Sequence, residues 1–325
     1  MKRTPSSLLE LALISWVSLP STLSNKLKIN FMKDHSSTSG WLFGLGAFMW
    51  WGIAPIYFKY ITHVGAVEIL AHRIAWCIPV TLLLMALIKK RIAILDIIKT
   101  PRLIIGLTLS TLLISTNWLI FTWAVTNEQI LATSLGYFIN PIISIIMGVI
   151  LLGERLDKMQ WLAVAFAILG VTNQVFNFGV FPWIALSLAV SFAIYGFIKK
   201  QLQVEPLNGF LVETLIALPF AVGYIIWGFS QPATQFINAG LESDLLLMAG
   251  GIITAVPLIL FVIAARKIPL SGIGFLQFLA PSISFIIATQ LYNEPLSNTQ
   301  FLSFILIWVG LVLYLVKPIK SLVSS

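Results

Sequence analysis

Two charged residues stand where charge is expensive, and any chemistry done by this chain starts from them. Arg73 lies inside the apolar stretch 67–88, and Glu213 is the one acid clearly inside such a stretch. At 1.5 Å of rise per residue, each would stand about 10 Å from the nearer end of a helix. A charge at the centre of a membrane helix costs at least about 2.5 kcal/mol, somewhat less off-centre. Glu68, His72 and Trp76 recur at i, i+4 and i+8 and share one helical face, with Arg73 and Cys77 beside it. That stripe reads as a polar wall of a substrate path. The competing reading is a folding device, with Arg73 paired to helix-end carbonyls or to Glu68. Glu213 could form an ion pair with Arg73, or take up and release protons.

Further polar residues interrupt other apolar stretches. One carries Ser110, Thr111, Ser115, Thr116 and Asn117, followed by Trp118; the next carries Gly136-Tyr137-Phe138-Ile139-Asn140-Pro141. Proline has no N–H, so Pro141 frees a carbonyl near Tyr137 to Ile139. Pro281 does the same later in the chain, where Gln277 takes the place of Tyr137. Broken backbone is tolerated in a membrane where it lines a cavity or neighbours satisfy it. Asn117, Trp118, Tyr137, Asn140 and Gln277 are therefore candidate substrate contacts, with packing glue between helices as the competing role. Trp51, Trp118, Trp123 and Tyr195 could line a site for a flat organic molecule. Trp123 and Trp183, near stretch ends, read better as an interfacial belt.

Several chemistries have no residues to run them. No Gly-Lys dipeptide occurs, so there is no Walker A loop. No His-Glu-x-x-His occurs, and His35, His63 and His72 have no cysteine or carboxylate cluster at metal-ligand spacing. The expectation is a protein without metal, cofactor or catalytic residues, and not an enzyme.

The elements that must position these residues are membrane helices. Of 325 residues, 58% are hydrophobic and 10% charged, and the mean hydropathy is +0.96. Soluble domains carry roughly 25% charge. Ten apolar stretches of about 20 residues can each cross about 30 Å of hydrocarbon as a helix. They fall near 40–61, 67–88, 103–125, 129–152, 158–177, 181–198, 207–229, 245–265, 269–292 and 298–316. The fold class is all-α, polytopic and membrane-spanning. The lone Cys77 excludes an intrachain disulfide.

The chain also repeats itself. A shift of 140 positions places Phe138 on Phe278, Pro141 on Pro281, Ser144 on Ser284, Glu154 on Glu294, Gln160 on Gln300 and Gly170 on Gly310. The same shift places Lys59 on Lys199, Pro79 on Pro219, Phe121 on Phe261 and Arg73 on Glu213. Residues 40–177 and 181–318 are thus read as two copies of a five-helix unit. An odd helix count inverts the second copy, the architecture of many secondary transporters. The tails and the loops after helices two, four, six and eight hold 18 of the 20 Lys and Arg, Lys199 and Lys200 among them. The opposite loops carry Glu128, Glu242, Asp244 and Glu294. The positive-inside rule then places both termini in the cytoplasm. The net charge of +8 is a topology signal, and nucleic acid is not an expected partner. Residues 1–38 lie outside the repeat; Ser7–Leu19 loosely imitates a signal peptide. Translation from Met32 is an alternative start that intact mass would decide.

At this point the residues resemble a known family. Trp51–Lys59, Glu68–Arg73, Asn117–Trp118, Ser134–Pro141, Leu152–Arg155 and Gln160–Ala163 are similar to the RarD proteins, in the EamA branch of the drug/metabolite transporter superfamily. The likeness runs from about Gly40 to Pro318 and is looser in the second half. The resemblance implies a ten-helix permease of a bacterial inner membrane, and the family name links it to chloramphenicol sensitivity. The expected function is secondary transport of a small organic metabolite or drug-like molecule by alternating access, with proton coupling as an option. The alternative is a membrane-embedded lipid-modifying enzyme or sensor subunit. The expected partners are a small-molecule substrate and the lipid bilayer, with a homodimer left open.

Overall fold

The computed structural model describes residues 38–127, 129–177, 179, 181–231, 234–292 and 297–323. The N-terminal segment with Met32, and the acids Glu128 and Glu294, lie outside them. The helices are α1 (Thr38–Tyr60), α2 (Ala66–Leu87), α3 (Ile94–Ile98), α4 (Pro101–Thr126), α5 (Ile130–Leu152) and α6 (Lys158–Phe176). There follow α7 (Trp183–Gln201), α8 (Pro206–Gly228), α9 (Leu241–Lys267), α10 (Leu270–Gln277), α11 (Leu279–Ile286) and α12 (Asn298–Val323). Among the described residues ten spans are long and apolar enough to cross a membrane. Their ends fall within a few residues of those expected.

The ninth span is broken. It runs through α10, α11 and a π-helical turn at Ile287–Leu291. The break follows Gln277, whose carbonyl is the one that Pro281 leaves without an i+4 donor. Pro141 occupies the equivalent position in α5, yet α5 is continuous.

The repeated residues turn out to be structural punctuation. Asp157 and Gln160 form a capping box at the start of α6, with Asp157 Oδ1 accepting from Gln160 N at 2.9 Å and Gln160 Oε1 accepting from Asp157 N at 3.0 Å. Ser297 and Gln300, 140 positions on, do the same for α12, at 3.2 and 3.1 Å. Gly153 ends α5 with a left-handed φ of 66°. That turn carries Glu154 to the N-terminus of α10, where it accepts from Leu270 N at 2.6 Å and Ser271 N at 2.9 Å. A carboxylate there satisfies orphan N–H groups and the helix dipole together.

Packing reveals the relation between the halves. A Cβ on Gly170 would meet Ser303 O at 2.8 Å, and one on Gly310 would meet Ala163 O at 2.7 Å. Ser303 is the 140-shift equivalent of Ala163, so the two close approaches are one contact made twice. As one helix is climbed the other is descended: α6 and α12 cross antiparallel. The other helix pairs obey the same exchange. α1 packs on α9 as α7 packs on α4; α5 packs on α7 as the broken ninth span packs on α1. α2 with α8, and α5 with α10, map onto themselves. With five crossings between equivalent helices, the two-fold axis lies in the membrane plane. The repeats are inverted.

Two polar ties hold connections to helix starts in the same pattern. Glu68, in the first turn of α2, accepts from Gln235 N at 2.9 Å and Phe236 N at 2.8 Å. Asn208, its equivalent in α8, accepts from Ala93 N at 2.7 Å and donates to Arg91 O at 3.1 Å. Each ties down the segment leading to the helix that follows.

Candidate functional site

The site is built where α2 crosses α9. Both are apolar, so the helices approach through small residues. A Cβ on Gly251 would stand 2.5 Å from the backbone of Trp76, and one on Gly250 would stand 3.0 Å from Arg73 Cγ. The two glycines let α9 lie directly on the Arg73–Trp76 face. Arg73 then reaches into the bundle and is only 6% exposed. Its Nε donates to Thr254 Oγ1 at 2.8 Å, one turn along α9 from Gly250. The guanidinium carbon lies 4.8 Å from the Trp118 ring and 5.5 Å from the Phe58 ring. Nη1 is buried without a hydrogen-bond partner, and among the described residues no carboxylate lies within ion-pair distance. The effective desolvation of such an ion is several kcal/mol. The ring contacts return about 0.5–2 kcal/mol each, and a charge-assisted hydrogen bond about 1.5–3 kcal/mol. Arg73 is thus sustained without an acid, with hydrogen-bonding capacity to spare.

The rings extend outward from Arg73. Phe58 packs edge-on against Phe121 at 5.2 Å, and Phe121 lies 5.9 Å from Tyr137. Tyr137 keeps 43% of its surface accessible.

Glu213 does not pair with Arg73. It lies 2.9 Å from Lys199 Nζ through Oε2, an ion pair outside hydrogen-bond angles. Ser110 Oγ donates to its other oxygen. Lys199 and Lys200, sorted by sequence with the loop cations, are both buried. Lys199 turns inward to the acid, and Lys200 Nζ donates to Ala265 O at 3.0 Å and Ile268 O at 2.6 Å at the end of α9. The equivalence of the halves makes the contrast sharp. Glu213 faces Ser110 and Arg73 faces Gly250, and Ser110 and Gly250 are themselves equivalent. One position is a neutralised pair; its counterpart is a bare cation. Lys59, the equivalent of Lys199, lies instead over the Tyr292 ring at 3.3 Å.

A narrow crevice beside Glu213, with room for about one water, is lined by Ile74, Cys77, Ser115, Trp118, Phe210 and Glu213 among others. Trp118 faces Arg73 and also lines this crevice.

The remaining candidates scatter. Ser144 Oγ lies 3.4 Å from Asn140 Oδ1 and 3.3 Å from Gln277 Oε1, so these two meet across α5 and α10 at the break in the ninth span. Asn117 Nδ2 donates to Leu188 O and Ser191 Oγ, each at 2.9 Å, and joins α4 to α7. Trp76 supports the α9 crossing. His72 packs at a tilt against Phe236 at 4.3 Å and, with Glu68, lines a small pocket near the Thr234–Phe236 segment. Trp51 belongs to a core cluster with Phe48, Phe192 and Phe261. Trp123 and Trp183 pack together at 6.0 Å, both about half exposed. Among the described residues no three His, Cys, Asp or Glu side chains group as a metal site. Thr254, Phe58 and Lys199 were missed as site residues. The shift that pairs Lys59 with Lys199 was the one available signal for the last.

Comparison with known proteins comes out in one direction. Residues 38–173 and 181–316 match the EamA-like transporter family, one copy each. "Protein RarD" of Salmonella typhimurium is 42% identical over 290 residues, covering 89% of this chain and 99% of that protein. A Vibrio cholerae protein named "Uncharacterized transporter" is 39% identical over 288 residues, covering 89% and 95%. A solved crystal structure superposes with a TM-score of 0.66 at 17% identity, covering 85% of this chain and 97% of that one. At that identity the likeness speaks to fold alone.

Proposed function

Because this chain belongs to the EamA-like transporter family, in its RarD branch, we propose that it carries a small organic molecule across the membrane by alternating access. The family is one of transporters and not of enzymes. The halves 40–177 and 181–318 are the moving units, and the route passes between α2, α4, α5 and α8. The observation that carries this reading is the contact made twice at Gly170 and Gly310. Inverted halves of near-equal packing can exchange conformations, and that exchange switches the open side.

Within the route, Arg73, Trp118 and Tyr137 contact the substrate, and Asn140 and Gln277 border it at the break in the ninth span. Glu213 is the coupling group: a proton on its carboxyl releases Lys199 and alters the crevice beside Trp118. The protein sits in a bacterial inner membrane with both termini cytoplasmic, the orientation supported by the basic loops.

The test is flux into proteoliposomes holding the purified protein, with and without a pH gradient, using a panel of labelled metabolites and chloramphenicol. Gradient-driven accumulation that becomes mere equilibration in Glu213→Gln supports the coupling. Flux unchanged in both Glu213→Gln and Arg73→Gln removes both assignments.

A further inference from the structure

Among the described residues Arg73 has no acid within ion-pair distance, and three nearby acids are committed elsewhere. Glu213 is held by Lys199 and Ser110. Glu68 is engaged by the backbone of Gln235 and Phe236. Asp244 accepts from Ile237 N at 2.7 Å. The guanidinium is nine-tenths buried, Nη1 has no partner, and rings flank it on two sides. We infer that Arg73 is the anchor for an anionic group on the transported molecule, and that the substrate class is a small organic anion with a flat apolar body. This rests on the transporter reading and names what that site takes.

Three features fit that ligand. Guanidinium presents a planar fork of N–H groups that matches carboxylate and phosphate, and it can stack on aromatic rings while doing so. Thr254 takes Nε, which sets the side chain's direction and leaves Nη1 for a ligand. The wall beyond is aromatic, from Phe58 through Phe121 to Tyr137, and offers ring faces and edges to a flat body. A neutral substrate would leave the buried charge as it stands. A cationic one would add a like charge with no acid to receive it.

The asymmetry of the repeat supports the same conclusion. An ancestral pair of equivalent sites would treat both positions alike. Here the Glu213 position is closed by its own lysine, and the Arg73 position, packed on Gly250, has no acid within ion-pair distance among the described residues.

The experiment uses full-length protein in detergent and in proteoliposomes, with four matched probes: benzoate, phenyl phosphate, benzamide and benzylamine. Ligands that bind the folded state raise its apparent melting temperature in a concentration-dependent way. The expected result is stabilisation by benzoate or phenyl phosphate, with the difference between them reporting whether the site takes carboxylates or phosphates. Benzamide and benzylamine give none. Arg73→Gln weakens the anion's binding by at least about tenfold, the loss expected for one charge-assisted bond. Arg73→Lys retains the preference for anions. Should Arg73→Gln not fold, Trp118→Leu keeps the cation and removes one ring, and it weakens binding of benzoate more than that of acetate. Stabilisation by neither anion, or an anion preference that persists in Arg73→Gln, overturns the assignment. The transporter reading is judged separately by flux: carriage of benzamide or benzylamine that ignores Arg73 leaves a transporter of a different substrate class.

Discussion

Lys199 Nζ lies 2.9 Å from Glu213 Oε2, and among the described residues no carboxylate is left within ion-pair distance of Arg73. Sequence periodicity places Arg73 and Glu213 at equivalent positions of two inverted halves, where an ion pair between them and a proton-carrying Glu213 are both open readings. The fold instead spends the acid on a lysine of the neighbouring helix.

Breaking that pair from one side should be costly. Glu213→Gln leaves Lys199 as a buried uncompensated cation, and loss of one partner of a buried pair costs about 3–5 kcal/mol. The double variant Lys199→Met/Glu213→Gln should recover most of this. Thermal melts of the four purified proteins measure the coupling; additive losses would contradict it.

The α2–α9 crossing should tolerate no added atom. Gly251→Ala places a methyl 2.5 Å from the Trp76 backbone. Overpacking of this kind costs about 1–3 kcal/mol, or more where backbone is the obstacle. Gly223→Ala is the control, since nothing lies within 4 Å of its added carbon. It should be neutral or raise the melting temperature slightly, because alanine is the better helix former by about 0.5–1 kcal/mol.

The two loop ties should fail in matching ways. Glu68→Ala removes the acceptor for Gln235 and Phe236, and Asn208→Ala removes the acceptor for Ala93. Each should cost about 1–3 kcal/mol, as for other buried donors left unmet. Faster hydrogen exchange confined to 234–240 in the first and to 91–99 in the second would distinguish local release from global unfolding.

What the sequence made legible was its punctuation. The coincident Gln, Glu and Gly pairs point to a repeat, and the structure gives each a local duty: a capping box at Gln160 and Gln300, a helix-start anion at Glu154, a close crossing at Gly170 and Gly310. Those duties depend on near neighbours or on the symmetry itself. Partner choice depends on neither. Nothing in the spacing of Arg73 tells that its ring partners are Trp118 and Phe58, or that Thr254 takes its Nε. Lys199 looks like a loop cation until α8 brings Glu213 beside it. Pro141 and Pro281 are equivalent in sequence, yet only the second breaks its helix.

The central claim is that inverted halves expose one interior surface to each side of the membrane in turn. Tyr137 is a proposed substrate contact with part of its surface accessible, so Tyr137→Cys on a Cys77→Ser background reports directly. Labelling of this variant in oriented membranes with a membrane-impermeant maleimide, applied from one face and then from the other, is the most direct measurement. The account predicts slow modification to completion from either face, as each molecule visits both states. Modification from one face only, or from neither, would contradict it.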